Sequence, residues 1–359
     1  MIRGRGKEME TEVQIDGKNI GVKHNTYFIA EMSANHLQDF ERAKKIIAAA
    51  KEAGADAIKL QTYRPDTMTI NCKNEEFMAT PGSPWEGMNL YELYKTAYTP
   101  WEWHKELFEY AKEIGITCFS SPFDLEAVDL LEKLNTPAYK IASLEINDIP
   151  LIDRVARTGK TIILSTGVAD LEDIQLAMDT CYKAGNTKII LLKCVSEYPT
   201  PYEDINLKTM IDMRRMFDCV VGVSDHSMGE SVAIASVALG ASVIEKHLTL
   251  KRDDGGPDAA FSMEPHEYQH MVESVRNVEK ALGCVTYELS EKQKNSKKRS
   301  RSLYVVEDIK KGQTFTLDNI RSIRPGYGLH TKYIHDVIGK VAQCDLKKGT
   351  ALSWEHISD

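Results

Sequence analysis

No stretch of this 359-residue chain approaches the roughly 18 consecutive apolar residues that a membrane-crossing helix needs. No membrane partner is therefore expected. The chain also lacks any CxxC pair, and its seven cysteines (72, 118, 181, 194, 219, 284 and 344) are an odd number. That argues against a structural zinc cluster or a disulfide framework and for reduced thiols in the cytoplasm. Positive charge is in short supply: 45 Lys and Arg against 53 Asp and Glu leave a net charge of −8, which disfavours a general binder of nucleic-acid backbones. Any anionic substrate must be held by local cations. The amino-terminal stretch MIRGRGKEMETEVQIDG has basic residues with no apolar run behind them, so neither a secretory leader nor an anchor is expected. The one basic run, KQKNSKKRSR at 292–301, lies between two blocks of different pattern and reads as a solvated linker.

From residue 25 onward, short β-branched runs alternate with segments of helical periodicity, the signature of a parallel sheet built from βα units. Eight strands are predicted: Tyr27 to Glu31, Ala57 to Gln61, Thr117 to Ser120, Ala138 to Ala142, Thr161 to Ser165, Lys188 to Lys193, Val220 to Ser224 and Ser242 to His247. Between them lie patterns such as FERAKKIIAAAKEAG, with apolar residues three and four apart and a glycine placed as a C-cap. Eight such units fit a closed (β/α)8 barrel better than an open doubly wound sheet. The insertion Arg64 to Pro100 is expected to elaborate the barrel mouth. After Gly283 the pattern changes to short strands punctuated by two Lys-Lys-Gly turns, DIKKG and DLKKG, which suggest pseudo-repeated hairpins in a small β-rich domain. The expected organisation is a barrel over 1–283, a linker over 284–299 and a β module over 300–359.

Active sites of such barrels sit where strands end and βα loops begin. The informative polar residues fall there: Glu31 and Asn35, Lys59 and Gln61, Ser121, Lys140 with Ser143 and Glu145, Ser165, Ser196 and Tyr198, Ser224 and His226, and His247. Lys59 and Lys140 lie inside apolar strands, where an unpaired ammonium is costly, so they need an anion. That anion is either a barrel carboxylate such as Glu31 or Glu145 or a phosphorylated carboxylate, which calls for more than one cation. Lys246 alternates with Glu245 and His247 and is expected to point outward. His226 and His247, at the ends of adjacent strands, could reach one metal ion; neutral imidazole suits manganese, iron, cobalt or zinc. Glu31 and Glu145 are candidates for moving protons. The GGPDAAFS loop after the eighth strand brings Asp258 near the mouth.

Taken in order, FIAEMSANH, GADAIKLQTY, CFSSPFD, YKIASLEIND, ILSTG, SEYPTPYEDINL, VGVSDHSMG, IEKHLTL and GPDAAFSMEP resemble the sialic acid synthase family of phosphoenolpyruvate-dependent nonulosonic acid synthases. RSLYVVEDIKKG and RPGYGLH are similar to its carboxyl-terminal antifreeze-like (SAF) domain. AEMSANH, NLYELYKTAYTPWEWH and SLEIND are most similar to the pseudaminic acid synthase branch. The resemblance implies condensation of phosphoenolpyruvate with an N-acetylated amino-sugar aldehyde to give a nine-carbon 2-keto acid and phosphate. It implies phosphoenolpyruvate binding by Lys59, Gln61, Ser121, Lys140, Ser143, Ser165 and Ser224, and a divalent metal (manganese, or else magnesium or cobalt) on His226 and His247. Asn35, Ser196, Tyr198 and Asp258 would face the sugar, and Glu31 and Glu145 would stand close to the reacting atoms. A domain-swapped homodimer is also implied, with Arg324 entering the partner subunit's barrel to meet the sugar's acetamido region.

Two departures bear on the sugar: Ser196 replaces an asparagine of the sialate-making members, and Ala259 stands where many of them have histidine. Both point away from N-acetylmannosamine and toward a 2,4-diacetamido-2,4,6-trideoxyhexose. The rival expectations are an N-acetylneuraminate or legionaminate synthase, a 3-deoxy-ulosonate phosphate synthase, a Schiff-base aldolase on Lys59 or Lys140, and a non-catalytic carbohydrate-binding protein.

Overall fold

The computed structural model describes residues 11–82 and 85–358. The basic stretch read above for a leader lies mainly at 1–10, outside the described residues. The chain divides into two units, 1–283 and 284–359.

The first unit opens with a hairpin of β1 (Val13–Ile15) and β2 (Lys18–Ile20), joined by Asp16 and Gly17, both at positive φ as a tight hairpin turn requires. Eight parallel strands follow: β3 (Tyr27–Glu31), β4 (Ala57–Thr62), β5 (Thr117–Pro122), β6 (Ala138–Ile141), β7 (Thr161–Ser165), β8 (Ile189–Lys193), β9 (Val220–Asp225) and β10 (Val243–His247). They close in sequence order, β10 pairing with both β9 and β3. The predicted strands recur with their ends shifted by two residues at most. Each strand is buried on both faces, which explains why the runs read as continuously apolar rather than alternating.

Helices cover the barrel with a single apolar stripe. In Phe40–Glu52, capped by the Asp39 carboxylate on the Arg42 amide, the buried residues are Ala43, Ile46, Ile47 and Ala50. That three-and-four spacing is the core-facing face of an amphipathic helix. Trp101–Ile114 ends at Gly115, whose φ of +74° gives the left-handed cap that a residue with a β-carbon resists.

The two faces of the strands fill different cores. Phe28, Ile58, Tyr139, Ile162, Leu191, Val221 and Ile244 pack outward among the helices. Tyr27, Ile29, Ala57, Phe119, Ala138, Ile163, Ile190, Val220 and Val243 fill the barrel interior together with Val13, Ile15 and Ile20, so the hairpin plugs the end where the strands begin. Thr161 Oγ1 donates to the Gln14 carbonyl at 2.7 Å and helps pin the plug. The apolar fill leaves only the carboxyl-terminal end of the barrel for polar side chains.

The second unit pairs β11 (Ser302–Val305) with β12 (Ile320–Ile323) and β13 (Val341–Ala342) with β14 (Ile357–Ser358), all antiparallel, around Leu303, Phe315, Ile320, Val337 and Leu352. Its two Lys-Lys-Gly turns are reciprocal. Asp308 accepts from the Lys348 amide and the Lys347 ammonium, while Asp345 accepts from the Lys311 amide and the Lys310 ammonium. The repeated motif is thus a pair of turns, each stapled by the aspartate of the other. Within the stretch read as a solvated linker, Glu291–Lys297 is an exposed helix, with Ser290 and Gln293 forming a capping box.

Candidate active site at the barrel mouth

Strand parity decides which side chains meet. Successive residues of a strand point to opposite faces, so each inward apolar residue places the residue two positions on inward as well. From Ile29 this gives Glu31, from Ala57 Lys59 and then Gln61, from Phe119 Ser121, from Ala138 Lys140, and from Ile163 Ser165. On the closing side, Leu192 gives Cys194, and Val243 gives Glu245 and His247. The polar ends of the strands therefore form one layer above the apolar fill.

Glu245 is at the centre of that layer and was not among the expected site residues. Its Oε1 lies 3.5 Å from Lys59 Nζ and 3.8 Å from Lys140 Nζ, and accepts from Ser224 Oγ at 3.0 Å. Lys59 Nζ also lies 2.7 Å from Glu31 Oε2 and donates to Ser121 Oγ at 3.4 Å. Gln61 Nε2 donates to Glu31 Oε1 and to Ser33 Oγ, both at 3.0 Å. Burial alone would push the Glu245 carboxyl up, but Lys140 and Lys59 together hold it below the usual range. Burial likewise works against the Lys59 ammonium, yet Glu245 and Glu31 keep it above its ordinary value. For Lys140 burial prevails over Glu245 and its pKa falls. Of the anions weighed for the lysines, the barrel carboxylate is the one present: Glu31 and Glu245 for Lys59, and Glu245, not Glu145, for Lys140.

Beside Lys140 the chain turns sharply at Gly167, which has no room for a β-carbon. One there would collide with Ser196 Oγ and stand 2.7 Å from Ser143 Oγ and 3.1 Å from Cys194 Sγ. The Gly167 amide donates to Ser143 Oγ at 3.0 Å, whereas the buried hydroxyls of Ser165 and Ser196 have no protein partner. Hydroxyls and an amide converging next to an ammonium, with donors left over, suit an anion with several oxygens. Glu145, on the short turn Ser143–Glu145, is pushed up by burial, against Lys140, to about 7. Burial raises Glu31 similarly to about 7 in spite of Lys59. Two carboxyls that exchange a proton near neutral pH suit general acid–base work.

His226 and His247 lie next to one another, ring centroids 5.3 Å apart. His226 Nδ1–H donates to the Val195 carbonyl at 2.9 Å, which fixes the tautomer and leaves Nε2 free to ligate. His247 Nδ1 is buried without a partner, and burial together with the positive charges around it holds that imidazole neutral. Among the described residues no third His, Cys, Asp or Glu completes a ligand cluster. The pair fits a divalent ion that keeps open positions for water and substrate. Tyr198 packs 4.4 Å from the His226 ring, and Phe261 packs 5.0 Å from the Tyr198 and His247 rings. Asp258 is buried beside them and accepts from Ser33 Oγ. Ser33 itself has a φ of +46°, a strained setting for a residue with a side chain.

One expected sugar residue is turned away from this mouth. Asn35 is fully buried and donates to the Leu248 carbonyl and Ser262 Oγ, so its amide ties the first βα loop to the last instead of facing ligand. Arg324 directly follows β12 in the second unit. Lys246 points outward as expected, with Asp225 Oδ2 and the Ser227 carbonyl each 2.7 Å away.

A closed parallel barrel whose ammonium, carboxyl, hydroxyl and imidazole groups gather at the carboxyl ends of its strands is an enzyme architecture. Comparison with known proteins gives the family. The chain matches the NeuB family over residues 46–287 and the SAF domain over residues 300–358, and it belongs to the NeuB family. It is 46% identical to a pseudaminic acid synthase of Helicobacter pylori, with 92% of this chain and 97% of the relative covered. It is 44% identical to that of Campylobacter jejuni, with 93% and 97% covered. Among solved structures it resembles an N-acetylneuraminic acid synthetase from Leptospira borgpetersenii with a TM-score of 0.71 and 30% identity, over 80% of this chain and 95% of that one.

Proposed function

We propose that this chain is a pseudaminic acid synthase, which condenses phosphoenolpyruvate with 2,4-diacetamido-2,4,6-trideoxy-L-altrose and water to give pseudaminic acid and phosphate. The observation that carries the reading is the meeting of Lys59 and Lys140 around Glu245 beside the Gly167 turn, one layer from the histidine pair. The names of the two relatives above support the choice of sugar.

In this reading the phosphate and carboxylate of phosphoenolpyruvate take the two ammonium groups, Gln61 and the hydroxyls of Ser121, Ser143, Ser165 and Ser224, which orients C3 toward the sugar. His226 and His247 would hold a divalent metal ion, manganese first, which would supply Lewis acidity to the aldehyde oxygen. C3 attacks the aldehyde carbon, forming the new carbon–carbon bond and leaving positive character at C2. Water adds at C2 and gives up a proton, and the resulting tetrahedral intermediate breaks its bond to the phosphate oxygen, leaving the 2-keto acid and phosphate. Glu31 and Glu145 would take up that proton and protonate the new alkoxide, a role that their raised carboxyl pKa values support. Holding two reactants in register is worth roughly 7 to 11 kcal/mol of barrier. Tyr198, Asp258 and Ser196 line the sugar's side. The reading includes a cytoplasmic homodimer in which Arg324 of one protomer serves its partner's barrel; no helix among the described residues is long and apolar enough to cross a membrane.

The test is phosphate release on mixing the enzyme with phosphoenolpyruvate, a divalent metal and a panel of amino sugars. Release with the trideoxy sugar is expected, and release only with N-acetylmannosamine would assign a different synthase.

A further inference from the structure

Trp85 belongs to the insertion between β4 and β5, yet its indole Nε1 donates to the Pro257 carbonyl at 3.1 Å, in the loop after β10. That bond fixes the ring over the mouth. Its centroid lies 5.9 Å from that of Tyr198, which lies 4.4 Å from His226 and 5.0 Å from Phe261. Tyr198 and Phe261 thus pack directly on the histidine pair, and Trp85 stands beyond Tyr198 as the next ring out. A six-carbon sugar with its aldehyde at the histidines, laid along Tyr198, brings its far carbon to Trp85.

We propose that Trp85 is a specificity-determining residue, the end of an aromatic wall with Tyr198 and Phe261 that receives the deoxygenated C6 methyl of the sugar. The inference rests on the proposed function and deepens it. A methyl group gains by leaving water for an aromatic face, whereas a C6 hydroxyl laid on the indole would lose hydration that the ring does not replace. Apolar pockets discriminate against an added hydroxyl by roughly 10- to 100-fold. A selectivity in that range is expected here.

The experiment compares 2,4-diacetamido-2,4,6-trideoxy-L-altrose with its C6-hydroxylated counterpart, by phosphate release, in the wild-type enzyme, Trp85→Ala and Trp85→Phe. Trp85→Ala should lower kcat/KM for the trideoxy sugar by about 10-fold or more, through the KM for sugar, and leave the hydroxylated sugar within about threefold. Its KM for phosphoenolpyruvate should stay within about twofold, and Trp85→Phe should retain most of the preference. An unchanged ratio between the two sugars, or an equal loss for both accompanied by a raised KM for phosphoenolpyruvate, overturns the inference and leaves the function standing. A wild-type enzyme inert toward the trideoxy sugar overturns both.

Discussion

Replacing Glu245 by glutamine removes one negative charge and almost no volume, so the response isolates the electrostatics of the lysine cradle. Lys59 would keep Glu31 at 2.7 Å, but among the described residues Lys140 has no other carboxylate within ion-pair distance. At 3.5 to 3.8 Å each attraction amounts to about 5 kcal/mol for an effective dielectric near 20. Desolvation of the carboxylate cancels part of this, and stripping one partner from a buried pair typically costs roughly 3–5 kcal/mol net. For a barrel of this size that is a fall in Tm of roughly 6–10 °C. A bound anion supplies the missing charge, so saturating phosphoenolpyruvate or inorganic phosphate should raise the Tm of Glu245→Gln several degrees more than that of the wild type. Thermal melts of both proteins with and without phosphate are the assay. If the variant melts with the wild type, or if phosphate shifts both equally, Glu245 is not the counter-charge that holds the empty cradle together.

Gly167→Ala should reduce kcat/KM for phosphoenolpyruvate by about 100-fold or more, as the new β-carbon displaces Ser143 Oγ and Ser196 Oγ; steady-state kinetics in phosphoenolpyruvate checks it. His226→Ala should abolish metal-dependent turnover together with calorimetric metal binding, and retained binding would defeat the ligand assignment. His36 and His104 are fully buried, and desolvation lowers each to about 4. Their neutral forms therefore contribute stability that is complete above about 6.5, the ordinary histidine value, and is lost as pH falls toward 4, by roughly 3 kcal/mol for each. Glu31 and Glu145 act in the opposite sense, since carboxyls raised to about 7 contribute below their ordinary range and lose that contribution as pH rises through 7. The two contributions oppose one another between about 4.5 and 6.5, so the measurement is a difference: from pH 6.5 to 4 the Tm of His104→Gln should lose less, or gain more, than that of the wild type, and parallel Tm curves for the two proteins would refute the assignment.

The barrel was legible because each strand is a short apolar run and each helix carries caps and a three-and-four stripe, local signals that tertiary packing reinforces. The mouth was legible for the same reason the fold was: polar residues at strand ends have one place to go once the interior is apolar. What the sequence hid follows from which signal was weighted. In VIEKH the outward lysine was read correctly from alternation, but the same alternation puts Glu245 inward beside His247, and burial of all five residues disguised it. Asn35 has the right residue type beside the mouth, but the short turn Ser33–His36 directs its amide back into the scaffold, a matter of one turn of backbone that periodicity does not encode. Trp85 and Phe261 carry no pattern at all, because loops from distant parts of the chain bring each of them to Tyr198.

That division has a physical basis. Most of the groups proposed to hold phosphoenolpyruvate lie on the strands, whose register is fixed by the hydrogen-bonded ladder and the packed interior. The features that would tell one sugar from another lie on loops, free to change without disturbing the barrel. Lys59, Lys140 and Glu245 sit on β4, β6 and β10, so their spacing is set by the closure of the barrel itself. Trp85 is fixed instead by one hydrogen bond to the Pro257 carbonyl and by ring packing. Substitutions in the strands should therefore impair every sugar alike, and substitutions along the Trp85 to Phe261 wall should alter the choice among sugars.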